Sequence, residues 1–355
     1  PYLRRGFPRA GTGRRGEHLR NEERGGVMFA LVTGATGCVG SNLSELLKER
    51  GHSVRALVRP GSDTAFLRSM GVGLAVGDLD DRASLDAAVK GVDAVFHCAA
   101  AVSDWAGLDE MRRVNVDGLG RLLAASAAAG APRFVYMSSM VVLGMGRQED
   151  LDESAPYVFT GDNYNTTKIE AERLLLEFAA RTGLPVTVIR APYVYGPRDR
   201  QMFPRILQYL ARGKYAYIGG GGNPFTLVYA KNLADGLIRA AETPRAVGRV
   251  YNITDGAAVT RRELITAMAD ELGLPRPKRN VPYPAARVVC AVCEAAAKSL
   301  RLKTPPLLNR FRLKFMHTHL TFDISRARRE LGYGPDIPFD RALRETVEWF
   351  RKNAG

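Results

Sequence analysis

Tyr164 and Lys168 stand four residues apart at the head of a run whose apolar positions recur at helical spacing. Ile169, Leu174, Leu175, Phe178 and Ala179 would form one buried stripe, with Glu170, Glu172, Arg173 and Glu177 largely off it. Positions i and i+4 share a helix face, so the Lys168 ammonium can sit near the Tyr164 phenol. A fixed positive charge favours phenolate and lowers a tyrosine pKa from its usual ~10. The pair would then work as an acid/base near neutral pH. A Tyr-x-x-x-Lys also arises by chance, mostly as a solvated pair, so its meaning depends on what precedes it.

The elements that would position it begin with Val27–Thr33, an apolar strand that runs into Gly34-Ala35-Thr36-Gly37-Cys38-Val39-Gly40 and the helical pattern Ser41–Arg50. In this strand, turn and helix context, glycines let the backbone approach a pyrophosphate, which rests on the helix N-terminal amides. Gly34, Thr36, Gly37, Cys38, Val39 and Gly40 are therefore candidate phosphate-side residues; a plain strand-to-helix turn is the bland alternative. A second strand, Ser53–Val58, closes on Arg59. An acid there would accept bonds from the ribose hydroxyls of NAD, whereas a base would pair with the 2′-phosphate of NADP. Arg59 favours NADP over NAD, unless it is merely an exposed arginine. The third strand, Val72–Val76, leads to Asp78 and Leu79, where Asp78 could meet an adenine rim or cap the Arg82–Lys90 helix.

A fourth strand, Val92–His97, ends in small residues, of which Ala99 and Ala100 leave room for a cofactor backbone. Asn115 falls inside the helical stretch Leu108–Ala129, where its poor propensity implies a buried hydrogen-bonding task. The fifth strand, Arg133–Met137, delivers Ser138 and Ser139 to the same edge. A loop over Gly144–Asn163 then leads to the Tyr164 helix. A sixth strand, Val186–Ile189, ends in Arg190-Ala191-Pro192-Tyr193-Val194, and this places Pro192 and Val194 beside the cofactor.

Five successive strand–helix units predict an α/β fold, a Rossmann-type doubly wound parallel sheet with a smaller C-terminal substrate lobe. Residues 1–27 hold seven Arg against three Glu and read as a disordered basic extension. Residues 28–196 read as the dinucleotide domain, with 225–255 returning to it; 197–224 and 256–355 form mainly the lobe. Within the lobe the pattern predicts helices at Phe203–Arg212, Arg261–Leu272, Tyr283–Leu300 and Arg341–Lys352. A hairpin-like loop is expected at Tyr215–Pro224, and one more strand at Val250–Ile253.

Composition sets the outer bounds. The 355 residues are 46% hydrophobic and 25% charged, a globular balance with no apolar run of membrane-spanning length. The net charge of +14 raises nucleic acid as a partner, but no binding motif accompanies it, so none is expected. Cys38, Cys98, Cys290 and Cys293 read as reduced thiols of a cytoplasmic protein. Cys290 and Cys293 look like small apolar helix positions, with no second Cys/His pair to complete a metal site.

Taken in order, Thr33-Gly34-x-x-Gly37-x-x-Gly40, Ser139 and Tyr164-x-x-x-Lys168 resemble an extended short-chain dehydrogenase/reductase, over Met28 to Phe350. The resemblance implies Tyr164 as the acid/base and Lys168 as the residue that lowers its pKa and holds the nicotinamide ribose. It implies Ser139 as the serine that orients substrate and Asn115 as a support of the site. Phe96-His97-Cys98-Ala99-Ala100, Val114-Asn115-Val116-Asp117-Gly118 and Pro224-Phe225-Thr226-Leu227-Val228-Tyr229 look most like the 3β-hydroxysteroid dehydrogenase branch, which includes reductases of long-chain 2-alkyl-3-keto acids. Two departures stand out: Arg190-Ala191-Pro192 replaces the usual Arg-Pro pair, and Arg59 occupies a position that is often acidic.

The implied chemistry is hydride transfer between a nicotinamide and the hydroxyl or ketone carbon of a bulky apolar substrate, a 3-hydroxy or 3-keto steroid or a long-chain 3-keto acid. A sugar-nucleotide epimerase or dehydratase that retains NAD, and a catalytically silent NADP-binding sensor, are the alternatives. The apolar Ala285–Leu300 stretch and the basic segment Lys298–Lys314, with Leu307, Leu308, Phe311, Leu313 and Phe315, suit peripheral contact with a membrane surface. A lobe helix packed on the sheet domain suits them equally. The resemblance implies that helices Leu108–Ala129 and Tyr164–Arg181 could pair across a two-fold axis in a homodimer.

Overall fold

β1 (Phe29–Thr33) is a continuous apolar run buried on both faces, as a parallel strand covered by helices on each side requires. In this computed structural model, which describes residues 26–300, 302, 306 and 308–353, it lies near the middle of a seven-stranded parallel sheet. The other strands are β2 (Ser53–Val58), β3 (Gly73–Val76), β4 (Ala94–His97), β5 (Phe134–Ser139), β6 (Val186–Ala191) and β7 (Val250–Asn252). The order is β7-β6-β5-β4-β1-β2-β3, the doubly wound arrangement expected from the repeated strand–helix units. The expected extension over residues 1–27 lies outside the described residues as far as residue 25, as does Leu307.

Register decides what meets at the carboxyl edge. Thr33 lies beside Leu57 and His97, His97 beside Tyr136, and Ser139 beside Ala191. The residues that follow each strand therefore converge on one cleft, where the strand order reverses between β1 and β4. One face of the sheet is covered by α1 (Cys38–Glu49) and the helix Ala230–Glu242, through Leu43, Leu47, Leu233, Leu237 and Ile238. Leu119, Leu122, Leu123, Leu175 and Ala179 fill the other. The last two belong to α2 (Asn163–Thr182), whose cap is Asp162 accepting from the Asn165 amide at 2.8 Å. A separate apolar cluster of Tyr195, Phe203, Leu264, Ile265, Met268, Leu343 and Val347 holds the lobe together.

Four local expectations are corrected. The helix over Leu108–Ala129 is interrupted: Leu108–Arg112 and Gly118–Ala128 flank a π turn at Arg113–Asp117 that carries Asn115. The loop over Gly144–Asn163 contains a strand, Arg147–Leu151, paired in parallel with His319–Phe322. Its exposed Arg-Gln-Glu-Asp run lacks apolar alternation, and its partner lies far off in sequence, so no local signal marks it. Tyr215–Pro224 is no hairpin, since Ala216–Ile218 pairs in parallel with Arg279–Val281. Asp81, not Asp78, caps the helix Arg82–Val89, accepting from the Ala83 amide at 3.0 Å. Asp78 instead closes a tight turn by accepting from Asp80 N.

Candidate active site

At Gly34 the chain takes φ +67°, and a Cβ there would lie 2.7 Å from the Ala99 nitrogen. A Cβ at Gly40 would lie 2.3 Å from the Gly34 carbonyl oxygen, so only glycine lets α1 close on the bend. Gly37 is the N-cap of α1 and offers no side chain to satisfy the first amides. A strand-end bend followed by uncapped helix amides is a cradle for an anionic pyrophosphate, and a dinucleotide fits it. Thr33 ties the bend to β4: its hydroxyl bonds His97 Nδ1 at 2.7 Å and accepts from Ala99 N at 3.3 Å. Burial, aided by the Lys168 charge, drives the His97 pKa down to about 3, which keeps the ring neutral.

A cavity of about 500 Å³ opens from this bend across the carboxyl edge of the sheet. Of the residues singled out in the sequence, Gly34, Gly37, Cys38, Val39, Gly40, Ala100, Ser139, Tyr164, Lys168, Pro192 and Val194 line it. Ala99 sits behind Gly34, and Thr36 is half-buried on the bend. Arg59 is exposed one residue past β2, whereas Asp78 and Leu79 follow β3 further along the same edge. Asn115 stands behind the wall. Its amide oxygen accepts from Ala101 N at 2.7 Å and its nitrogen donates to Ala101 O at 3.0 Å and Thr167 Oγ1 at 3.1 Å. It thus fixes the chain after β4 against α2, the buried task its helix position implied.

Ser139 ends β5 and lines the cavity with Tyr164, near enough for its hydroxyl to favour the phenolate. Lys168 does not aim at the phenol. Its Nζ donates to Met137 O at 3.0 Å and to Tyr136 Oη at 3.3 Å, and it stands 6.0 Å from the Tyr164 ring centre. The expected depression of the Tyr164 pKa is therefore corrected: burial pushes it up to about 12, and the nearby Ser139 hydroxyl lowers it only in part. Burial also pulls Lys168 down to about 8, opposed by the field of Glu172.

Glu172, one turn beyond Lys168, is fully buried and forms an ion pair with Arg190 Nη2 at 2.8 Å. It also accepts from Tyr157 Oη at 2.9 Å and from Ser138 Oγ. The Arg190 departure noted in the sequence thus serves a buried scaffold beneath the site, not a wall of the cavity. Sequence reasoning missed this network and also Arg198, a non-glycine residue at φ +67°. Arg198 donates to Ser41 Oγ at 2.9 Å and Glu45 Oε2 at 2.6 Å, strapping the chain after Gly196 across α1. A polar Ser41-Asn42 pair early in an otherwise apolar-faced helix was the signal available.

A glycine bend at one end of the cleft and a Ser–Tyr–Lys group beyond it, at the edge of a doubly wound sheet, define an NAD(P)-dependent oxidoreductase. The model of the NAD dependent epimerase/dehydratase family matches residues 30–254, and the chain belongs to that family. It is 34% identical over 332 residues to a 2-alkyl-3-oxoalkanoate reductase of Stenotrophomonas maltophilia, covering 89% of this chain and 98% of that protein. It is 33% identical over 335 residues to a 3 beta-hydroxysteroid dehydrogenase/Delta 5→4-isomerase of Mycobacterium tuberculosis, covering 90% of each. Among solved structures, MoeE5 in complex with UDP-glucose and NAD superposes with a TM-score of 0.73 at 28% identity, over 92% of this chain and 99% of that one.

Proposed function

We propose that the protein reduces the ketone of a bulky apolar substrate, with Tyr164, Ser139 and Lys168 as its catalytic group. The observation that carries this reading is their shared cavity, whose far walls include Val102, Met140, Met145, Phe311, Phe322 and Leu320. A bound nicotinamide dinucleotide supplies the hydride. Tyr164 gives its phenolic proton to the substrate oxygen, and the Ser139 hydroxyl holds that oxygen in line. Lys168, cationic at neutral pH, provides positive charge under the site and steadies the end of β5. Gly34, Thr36, Gly37, Cys38, Val39 and Gly40 hold the pyrophosphate side; Asp78, Leu79, Ala99 and Ala100 follow the adenosine and ribose side; Pro192 and Val194 back the nicotinamide. The apolar walls favour a steroid or long-chain keto acid over a sugar nucleotide. Net consumption of reduced dinucleotide with such ketones supports the reductase, and tightly retained NAD without net turnover would overturn it.

Arg59 supports NADP as the dinucleotide. It lies past β2, beside the strand that carries the glycine bend, with its side chain in solvent. Wild-type protein is expected to bind NADPH more tightly than NADH, and Arg59→Ala to weaken NADPH about 10- to 100-fold while changing NADH little. Paired fluorescence titrations measure both, and tighter NADH binding by the wild type would remove NADP from this reading.

Peripheral membrane contact is part of the proposal. No helix among the described residues is long and apolar enough to cross a membrane. Val288, Val289 and Val292 nevertheless lie exposed on the helix Tyr283–Ser299, followed by exposed Leu300 and Leu302. Arg310 and Lys314, exposed further along the chain, would face anionic headgroups. Co-sedimentation with phosphatidylglycerol vesicles is expected and should fall several-fold in Val288→Ser/Val292→Ser; equal sedimentation of both proteins would refute the contact.

A further inference from the structure

The reductase reading leaves one cation of the cavity wall without a task. Arg261 opens the helix α3 (Arg261–Leu272), and its side chain lines the cavity. The guanidinium lies 3.9 Å from the Phe225 ring centre and 4.9 Å from that of Phe315, two rings set edge-on at 86°. Its Nε donates to Met316 O at 3.1 Å and Nη2 to Phe315 O at 2.5 Å. Among the described residues no carboxylate pairs with it. The other wall cations differ: Lys168 bonds Met137 O and Tyr136 Oη, Arg198 pairs with Glu45, and Arg200 is exposed.

Five N–H groups are available to a guanidinium, and two are used here. Those left are the pair on Nη1 and one on Nη2, the end-on edge that matches the two oxygens of a carboxylate. The aromatic rings and carbonyl bonds fix this fork in advance, so little side-chain entropy is lost when an anion arrives. Burial lowers its pKa to about 10, and it remains cationic at neutral pH.

We infer that Arg261 is a specificity residue that binds a carboxylate on the substrate, so that the preferred ketones are free keto acids, not neutral sterols or esters. The apolar walls take the alkyl part and Arg261 takes the charged end. The inference rests on the ketoreductase reading, and two measurements keep the fates of the two apart. In the first, keto acids of equal carbon number, with the ketone at increasing distance from the carboxylate, are each compared with their methyl ester for kcat/KM. At the best spacing the acid is expected to exceed its ester about 10- to 100-fold. That ratio should fall to near one in Arg261→Gln and recover in part in Arg261→Lys. In the second, laurate and methyl laurate are titrated calorimetrically into wild type and both variants with dinucleotide present, which needs no turnover. Laurate is expected to bind more tightly than its ester only where position 261 is cationic. Equal acid and ester affinity in the wild type, or an acid preference that survives Arg261→Gln, overturns the assignment. Preferential laurate binding without turnover of any ketone upholds Arg261 and sinks the ketoreductase reading instead.

Discussion

Tyr164→Phe is expected to lower kcat by about 10²–10⁴-fold, the range for loss of a positioned proton donor. Dinucleotide affinity should stay within about twofold, because the substitution leaves the glycine bend untouched. The substitution removes one oxygen and keeps the ring, so the packing of α2 survives. Ser139 stays held, because its Oγ accepts from Val141 N at 3.3 Å. Steady-state oxidation of reduced dinucleotide and a binding titration measure the two effects. Wild-type turnover in the variant would remove Tyr164 as the acid. The pH profile carries the same chemistry: Lys168, at about 8, loses its charge as pH rises past that value, while Tyr164 keeps its proton until about 12. Turnover should therefore decline above pH ~8 while the proton donor is still present, and Lys168→Met should show low activity without that alkaline limb.

The largest effect on stability is expected at Arg190. Its guanidinium is completely buried and donates through Nε and Nη2 to Glu172, itself completely buried. Arg190→Met leaves a carboxylate inside the protein with only the Ser138 and Tyr157 hydroxyls for partners. Breaking a buried pair in this way costs about 3–5 kcal/mol, most of it desolvation of the orphaned charge. The double variant Arg190→Met/Glu172→Gln should recover part of the loss, since the neutral amide no longer demands a counter-charge. Urea unfolding of the three proteins tests this, and a single variant within 1 kcal/mol of wild type would show that the pair contributes little. Because Glu172 also raises the Lys168 pKa, the pair links the stability of the scaffold to the charge in the site.

What could be read early follows from the range of each interaction. The glycine bend, the apolar strands and Tyr-x-x-x-Lys are written within ten residues or fewer, and the physics behind them is equally local. Asn115 was legible as a misfit, a short amide in a helical run, although the π turn that accommodates it was not. The strand Arg147–Leu151 left no trace, because its pairing depends on His319–Phe322, more than one hundred and fifty residues away. The aim of Lys168 was misread for the same reason: helix spacing puts it on the face of Tyr164, but the Met137 carbonyl on β5 claims its ammonium.

From sequence alone came the doubly wound sheet, the glycine bend and the residues proposed for proton transfer, since periodicity, glycine spacing and residue chemistry are properties of the chain itself. Only the tertiary structure decided that Arg190 serves a buried ion pair, that Arg261 faces the cavity between two rings, and that burial governs the Tyr164 acidity. Desolvation and long-range pairing are set by what surrounds a side chain, and that surrounding exists only once distant segments have packed.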